Sequence, residues 1–257
     1  MLYYSTNNRQ HKVSLKEAII KGIADDNGLF MPEKINVLPK TFYDQIENHS
    51  LQENAFEVAK QFFEGDVDHD ALKEIVYESL NFSIPLVQLK PNLHALELFH
   101  GPTLAFKDVG GRFMARMLNY FTKNQHEEII VLVATSGDTG SAVANGFLGV
   151  EGIKVGILYP KNKVSNIQEK QFTTLGQNIT AFEVDGTFDD CQAMVKQAFR
   201  DDALRQTLNL TSANSINVAR WLPQQFYYFF AYKQWLQKNE PPVIAVPSGN
   251  FGNICAG

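Results

Sequence analysis

Cysteine is nearly absent. The chain has two in 257 residues, Cys191 and Cys255, far apart and in no metal-type spacing, which excludes a disulfide framework and a zinc site and fits a reducing compartment. Clustered basic charge is missing too: 23 lysines and arginines are scattered among 28 acidic residues, giving a net charge of -5. No nucleic acid and no membrane surface is therefore expected as a partner, which leaves small molecules. The greasiest runs, "EIIVLVA" and "QQFYYFFAY", are too short to cross a bilayer, and "MLYYSTNNRQHK" lacks the basic-then-apolar layout of a signal peptide. The expectation is a cytoplasmic protein. Repeats and low-complexity tracts are lacking, nothing marks an oligomeric state, and a monomer is compatible with all of this.

With 44% hydrophobic and 20% charged residues, the composition is that of a globular protein with one large domain or two smaller ones. Residues 1–85 read as a small, mainly helical domain. "SLKEAIIKGIADDNG" opens on a capping box, Ser14 and Glu17, and meets a turn signal at Asn27-Gly28; "NAFEVAKQFFEG" and "HDALKEIVYESLNF" carry further helical stripes. From residue 86 on, short apolar runs alternate with helical stretches. Strands are expected at "LHALELF" (93–99), "EIIVLVA" (128–134), "IKVGILYP" (153–160), "NITAFEV" and "VIAVP" (243–247), with helices between them. That pattern is an α/β fold, an open and mostly parallel sheet with flanking helices. The chain stops where a helix after the last strand should begin, so the expectation is a fragment truncated at its C-terminus.

Ligands of open α/β folds sit at the carboxyl ends of the strands, and three strand-to-helix turns carry chemistry there. In "HGPTLAFKDVGG", Lys107 falls at the expected start of a helix, next to Leu104, Ala105 and Phe106. Desolvation and a helix dipole both depress a lysine pKa and would free its amine for a carbonyl. The competing reading is a solvated lysine paired with Asp108. In "ATSGDTGSA", Thr135, Ser136 and Thr139 offer hydroxyls, while Gly137 and Gly140 would let backbone N–H groups face an anion; the bland reading is a tight connection. "PSGNFGN", with Gly249, Asn250, Phe251, Gly252 and Asn253, suits a phosphate monoester or is a turn without a ligand, and it lacks both the P-loop lysine and the dinucleotide fingerprint. A fourth stretch, "SANSINVARW", sets Asn214, Ser215, Asn217 and Arg220 around a helix start; the arginine either meets a substrate phosphate or carboxylate or is an exposed helix residue. Cys191 falls at core spacing, and His94 and His100 have no carboxylate partner in the pattern, so no Ser/His/Asp arrangement forms.

Taken in order, "LELFHGPTLAFKDVGGRFMARML", "ATSGDTGSAVANGF", "LTSANSINVAR" and "VPSGNFGN", with "SLKEAIIKGIADDNGLFMPE" before them, strongly resemble the threonine synthase family, pyridoxal-phosphate enzymes of the tryptophan-synthase-β-like fold, type II. The resemblance covers the whole chain. It implies that Lys107 holds pyridoxal 5'-phosphate as a Schiff base and that Gly249, Asn250, Phe251 and Asn253 receive the cofactor phosphate. It implies also that Asp138, where many members of the wider fold carry asparagine, lies near the cofactor hydroxyl. The turn with Thr135, Ser136, Gly137 and Thr139 corresponds to the substrate-carboxylate loop, and Asn214 and Arg220 to the hold on the substrate phosphate. No metal is implied. The reaction implied converts O-phospho-L-homoserine and water to L-threonine and phosphate, with the released Lys107 moving protons. The rivals are another lyase of the same cofactor fold, a dehydratase or a phospholyase, and a noncatalytic relative that binds a phosphorylated ligand.

Overall fold

The computed structural model describes residues 1–123 and 128–257. The N-terminal region carries the expected helices and, besides them, a short three-stranded antiparallel sheet. Strand β1 (Leu2–Ser5) lies between β2 (Lys12–Ser14) and β3 (Phe30–Pro32). Tyr3 and Ser5 point inward and are buried, the alternation of a strand, but strands of three or four residues are too short for periodicity to reveal. Helix α1 (Leu15–Lys21) ends earlier than the Asn27-Gly28 signal, at Gly22, whose φ of 71° stops the helix in the left-handed region. Only half of the expected capping box forms there: the Ser14 hydroxyl accepts from Glu17 N at 3.2 Å. Complete boxes stand at Ser50–Glu53 and Thr187–Asp190. The short α2 (Lys40–Gln45) leads to α3 (Leu51–Phe63) and α4 (His69–Ser79), which pack against each other.

Strand β4 (Leu86–Lys90) and β5 (Leu93–Leu96) form an antiparallel hairpin outside the main sheet. The run 93–99 thus starts no parallel unit: Asn92, with φ of 63°, turns it back on residues 86–90. The long α5 (Lys107–Thr122) follows, then β6 (Ile129–Ala134), α6 (Asp138–Phe147), β7 (Ile153–Pro160), α7 (Asn166–Thr173), β8 (Ile179–Val184), α8 (Phe188–Arg200), α9 (Asp202–Thr207) and β9 (Asn209–Ser212). The four strands form one parallel sheet in the order β8-β7-β6-β9. β6 and β7 are nearly continuous apolar runs because helices cover both faces. The single helix expected around residues 217–236 is broken at Pro223 into α10 (Val218–Trp221), a 3₁₀ turn over Leu222–Gln225, and α11 (Phe226–Gln234).

The expected strand 243–247 does not form. Val243 is 98% exposed, and no described strand lies alongside to take its backbone groups. The short α12 (Gly252–Ala256) comes after it. One hydrophobic core runs through the molecule and crosses from the first 85 residues into the rest: the Phe63 ring meets Phe113 at 5.1 Å, and Phe113 meets Phe226 at 6.2 Å. No described helix is long and apolar enough to cross a membrane.

Candidate active site

Helix α5 carries the site because three glycines let its neighbours come close. A Cβ built on Gly110 would lie 2.6 Å from the Arg220 carbonyl oxygen of α10, and one on Gly111 would lie 2.7 Å from the Ala142 carbonyl oxygen of α6. One turn further along α6, a Cβ on Gly146 would lie 2.8 Å from the Gly111 carbonyl. Backbone therefore packs on backbone, and this brings the turn at the start of α6 and the side chain of Arg220 to the first residue of α5, Lys107. The two glycines after "KDV" are helix-packing residues rather than turn residues.

Lys107 sits in the first turn of α5 with its ammonium 5.6 Å from the centre of the Phe106 ring. Burial holds its pKa below the ordinary lysine range; the Asp138 charge opposes that shift and the Arg220 charge adds to it. The surface pair with Asp108 does not form. Asp108 is buried and folds back on its own loop, where it accepts from Thr103 N at 2.9 Å and from the Thr103 hydroxyl at 2.5 Å. Its carboxyl is pushed up by burial against those bonds. Gly101 makes the fold-back sterically feasible, since a Cβ there would lie 2.4 Å from Oδ2 of Asp108. The buried Tyr227 hydroxyl donates to the Phe106 carbonyl and so ties α11 to the residue before the lysine.

In the turn between β6 and α6, the expected anion-facing N–H groups of Gly137 and Gly140 point inward. Both donate to the Thr135 hydroxyl oxygen, at 2.9 and 2.8 Å, and that hydroxyl donates in turn to the Gly137 carbonyl at 3.1 Å. Thr135 is a buried staple that shapes the turn, while Ser136 is exposed and Asp138 and Thr139 are half-buried. Thr135→Val should keep the shape of the side chain but orphan two buried donors, at a cost of about 2–4 kcal/mol. A lowered urea midpoint checks this; an unchanged one would mean that the hydroxyl is solvated.

Arg220 is not an exposed helix residue. It is buried, donates through one Nη to the Ala213 carbonyl, and leaves its Nε without a partner. Among the described residues no carboxylate pairs with it, and burial lowers its pKa to about 10. Asn217 is structural: its side chain caps Ala219 N at 3.0 Å and donates to the Ile19 carbonyl at 2.9 Å. Asn214 and Ser215 are half-buried, and a Cβ on Gly252 would come within 3.6 Å of the Ser215 carbonyl oxygen, so "SANS" meets "SGNFGN". Within that last loop Gly249, Asn250 and Phe251 are exposed, and Asn253 accepts from the Tyr228 hydroxyl at 2.9 Å through its carbonyl. Phe106, Tyr227, Tyr228 and Asn253 line one cavity of about 890 Å³, which sets the lysine loop and the "SGNFGN" loop on a common wall. Cys191 is a buried core residue, as its spacing indicated.

Missed from the sequence were Tyr227, Thr103 and Gln168. Gln168 on α7 donates through Nε2 to Oδ1 of Asp138. An amide on a mostly exposed helix carries no pattern that would single it out.

Two family models cover the chain, that for the threonine synthase N terminus over residues 2–80 and that for pyridoxal-phosphate dependent enzymes over residues 80–257. The chain is 45% identical over 258 residues to threonine synthase of Haemophilus influenzae and 43% identical to that of Escherichia coli, covering all of this chain and 60% of each relative. Among solved structures, threonine synthase from Escherichia coli superposes with a TM-score of 0.92 at 43% identity, covering 100% of this chain and 60% of that one. The pyridoxal-phosphate-bound threonine synthase from Brucella melitensis gives 0.92 at 37% identity, with 100% and 56% covered. The chain thus spans about 60% of the length of these relatives.

Proposed function

Because this chain belongs to the family of pyridoxal-phosphate dependent enzymes, we propose that it supplies the cofactor lysine and the substrate-phosphate side of a threonine synthase, which converts O-phospho-L-homoserine and water to L-threonine and phosphate. The observation that carries the reading is the pairing of a desolvated lysine amine with a buried arginine that has no counter-ion among the described residues. The donor set fits the cofactor and its substrate: an amine for a carbonyl, and a guanidinium for a phosphate. Lys107 would hold the cofactor, Asp138 would face its hydroxyl, and Gly249, Asn250, Phe251 and Asn253 would receive its phosphate. Ser136 and Thr139, on the turn that Thr135 staples through the Gly137 N–H, would take the substrate carboxylate, and Asn214 with Arg220 the substrate phosphate. We propose residues 1–85 as the N-terminal domain and 86–257 as the cofactor-binding region, supported by the change of family model at residue 80.

Bound pyridoxal phosphate supplies an electron sink for the charge left when a proton is taken from the substrate. Lys107 is suited to carry that proton, because burial makes its ammonium easier to deprotonate than that of an ordinary lysine. Arg220 is suited to the leaving phosphate. Its guanidinium has already lost its water on folding, so it meets charge developing on a phosphate without further reorganisation. A cytoplasmic setting fits, with both cysteines free, and the net charge of -5 supports small-molecule rather than nucleic-acid or membrane partners.

The test is incubation of the protein carrying this chain with O-phospho-L-homoserine. Threonine plus phosphate is expected; a 2-oxo acid plus ammonia would favour a dehydratase, and no turnover a binding relative. Arg220→Met gives a second check in which two effects have opposite signs. Removing a buried charge without a counter-ion should hold or raise the melting temperature, while loss of the charged donor should lower kcat/KM for the phosphate ester roughly 10- to 100-fold. A fall in both would make Arg220 a structural residue only.

A further inference from the structure

The Asp138 charge is felt at Lys107, yet among the described residues no ion pair closes between them. The reason lies on α7. Gln168 turns its amide onto Asp138, and since a carboxylate only accepts, the group facing it is the NH₂. The other end of that amide is fixed as well: Oε1 accepts from the Ser165 hydroxyl at 2.9 Å. Room for the amide comes from Gly137, where a Cβ would stand 2.4 to 2.9 Å from the Gln168 amide atoms. One turn further along α7, Gln171 donates to the Thr103 carbonyl at 3.3 Å, in the loop that folds Asp108 back and presents Lys107. Helix α7 buries only Phe172, and these two amides tie it to both loops.

We propose that Gln168 is a positioning residue that keeps the Asp138 carboxylate turned away from the Lys107 amine. Freed of Gln168, the carboxylate can turn to Lys107, whose amine its charge already reaches, and close an ion pair that favours the ammonium. The charged and titratable groups around Lys107 are accounted for. Asp138 faces it from α6 and Arg220 from α10, Asp108 on its own helix is bound to Thr103, and the Tyr227 hydroxyl from α11 is bound to the Phe106 carbonyl. Of the two carboxylates, Asp108 is held within its own loop by Thr103, whereas Asp138 is held by an amide that reaches it from another helix, α7.

The inference rests on the reading of Lys107 as the cofactor lysine only for its consequence, and its test needs no cofactor. Competitive acetylation of the protein across a pH series, with mass spectrometry of the peptide that contains Lys107, gives the titration of that amine directly. Gln168→Leu should move the midpoint upward by about half a pH unit or more, roughly a threefold drop in Lys107 labelling at fixed pH. Adding Asp138→Asn to Gln168→Leu should return the midpoint to or below that of the unsubstituted protein. A midpoint unmoved or lowered by Gln168→Leu, with circular dichroism unchanged, overturns the proposal, and so does an upward shift that survives Asp138→Asn. Failure of the cofactor reading would show separately, as absence of a borohydride-fixed pyridoxyl group on Lys107.

Discussion

If the proposed function holds, Lys107→Ala should abolish borohydride-fixed attachment of pyridoxal phosphate and lower turnover of O-phospho-L-homoserine by at least about a thousandfold, while the fold survives. The loss is large because, on the proposed function, one amine would both hold the cofactor and move protons. The fold survives because the ammonium is poorly placed as a structural group. A lysine whose pKa is lowered on folding takes stability away at pH values below its folded-state pKa, and that penalty fades as pH rises toward the ordinary lysine range. At neutral pH its removal relieves the penalty and gives up the contact with the Phe106 ring, about 0.5–1 kcal/mol. The melting temperature should therefore stay within a few degrees. Lys107→Arg should be as inactive as alanine, since a guanidinium does not surrender its proton near neutral pH. Peptide mapping of the reduced holoprotein decides the assignment: a pyridoxyl group on another lysine overturns it.

What the residues revealed in advance, and what they concealed, follows from how local each signal is. β6 and β7 were legible because a strand buried on both faces must be apolar along its length. The same rule misled at 243–247, where an apolar run states only a demand for burial and cannot say whether a neighbouring strand meets it; Val243 stands exposed. The N-terminal sheet escaped notice because Leu2–Ser5 and its partners are shorter than the window periodicity needs. The Lys107 site was half legible. Phe106 and the helix start told of desolvation, but the fate of Asp108 hung on Thr103, and the burial of Arg220 on a helix contact set by Gly110. Gln168 reaches Asp138 across 30 residues of sequence, and no spacing rule connects an α7 amide to the first residue of α6.

Gly111→Ala is the substitution for which two well-understood effects disagree in sign, and the structure says which one wins. Alanine is favoured over glycine in a helix interior by about 1 kcal/mol, and Gly111 lies inside α5, so propensity alone predicts a more stable protein. Against it stands the Ala142 carbonyl, 2.7 Å from where the new Cβ would sit. That oxygen is backbone in the middle of α6, so it cannot rotate away as a side chain would; the two helices must move apart. Overpacking of this kind costs 1–3 kcal/mol and more when backbone has to shift, and here the Gly146 contact on the same crossing would open with it. The net expectation is a loss of about 2–4 kcal/mol, which for a chain of this length lowers the melting temperature on the order of 5–10 °C. Moving α6 also carries Asp138 and the Thr135 turn away from Lys107, so uptake of pyridoxal phosphate should weaken in the protein that remains folded. A higher melting temperature would show that propensity prevails and that α5 and α6 are less tightly seated than their backbones indicate, and the site would then not depend on the crossing of those two helices.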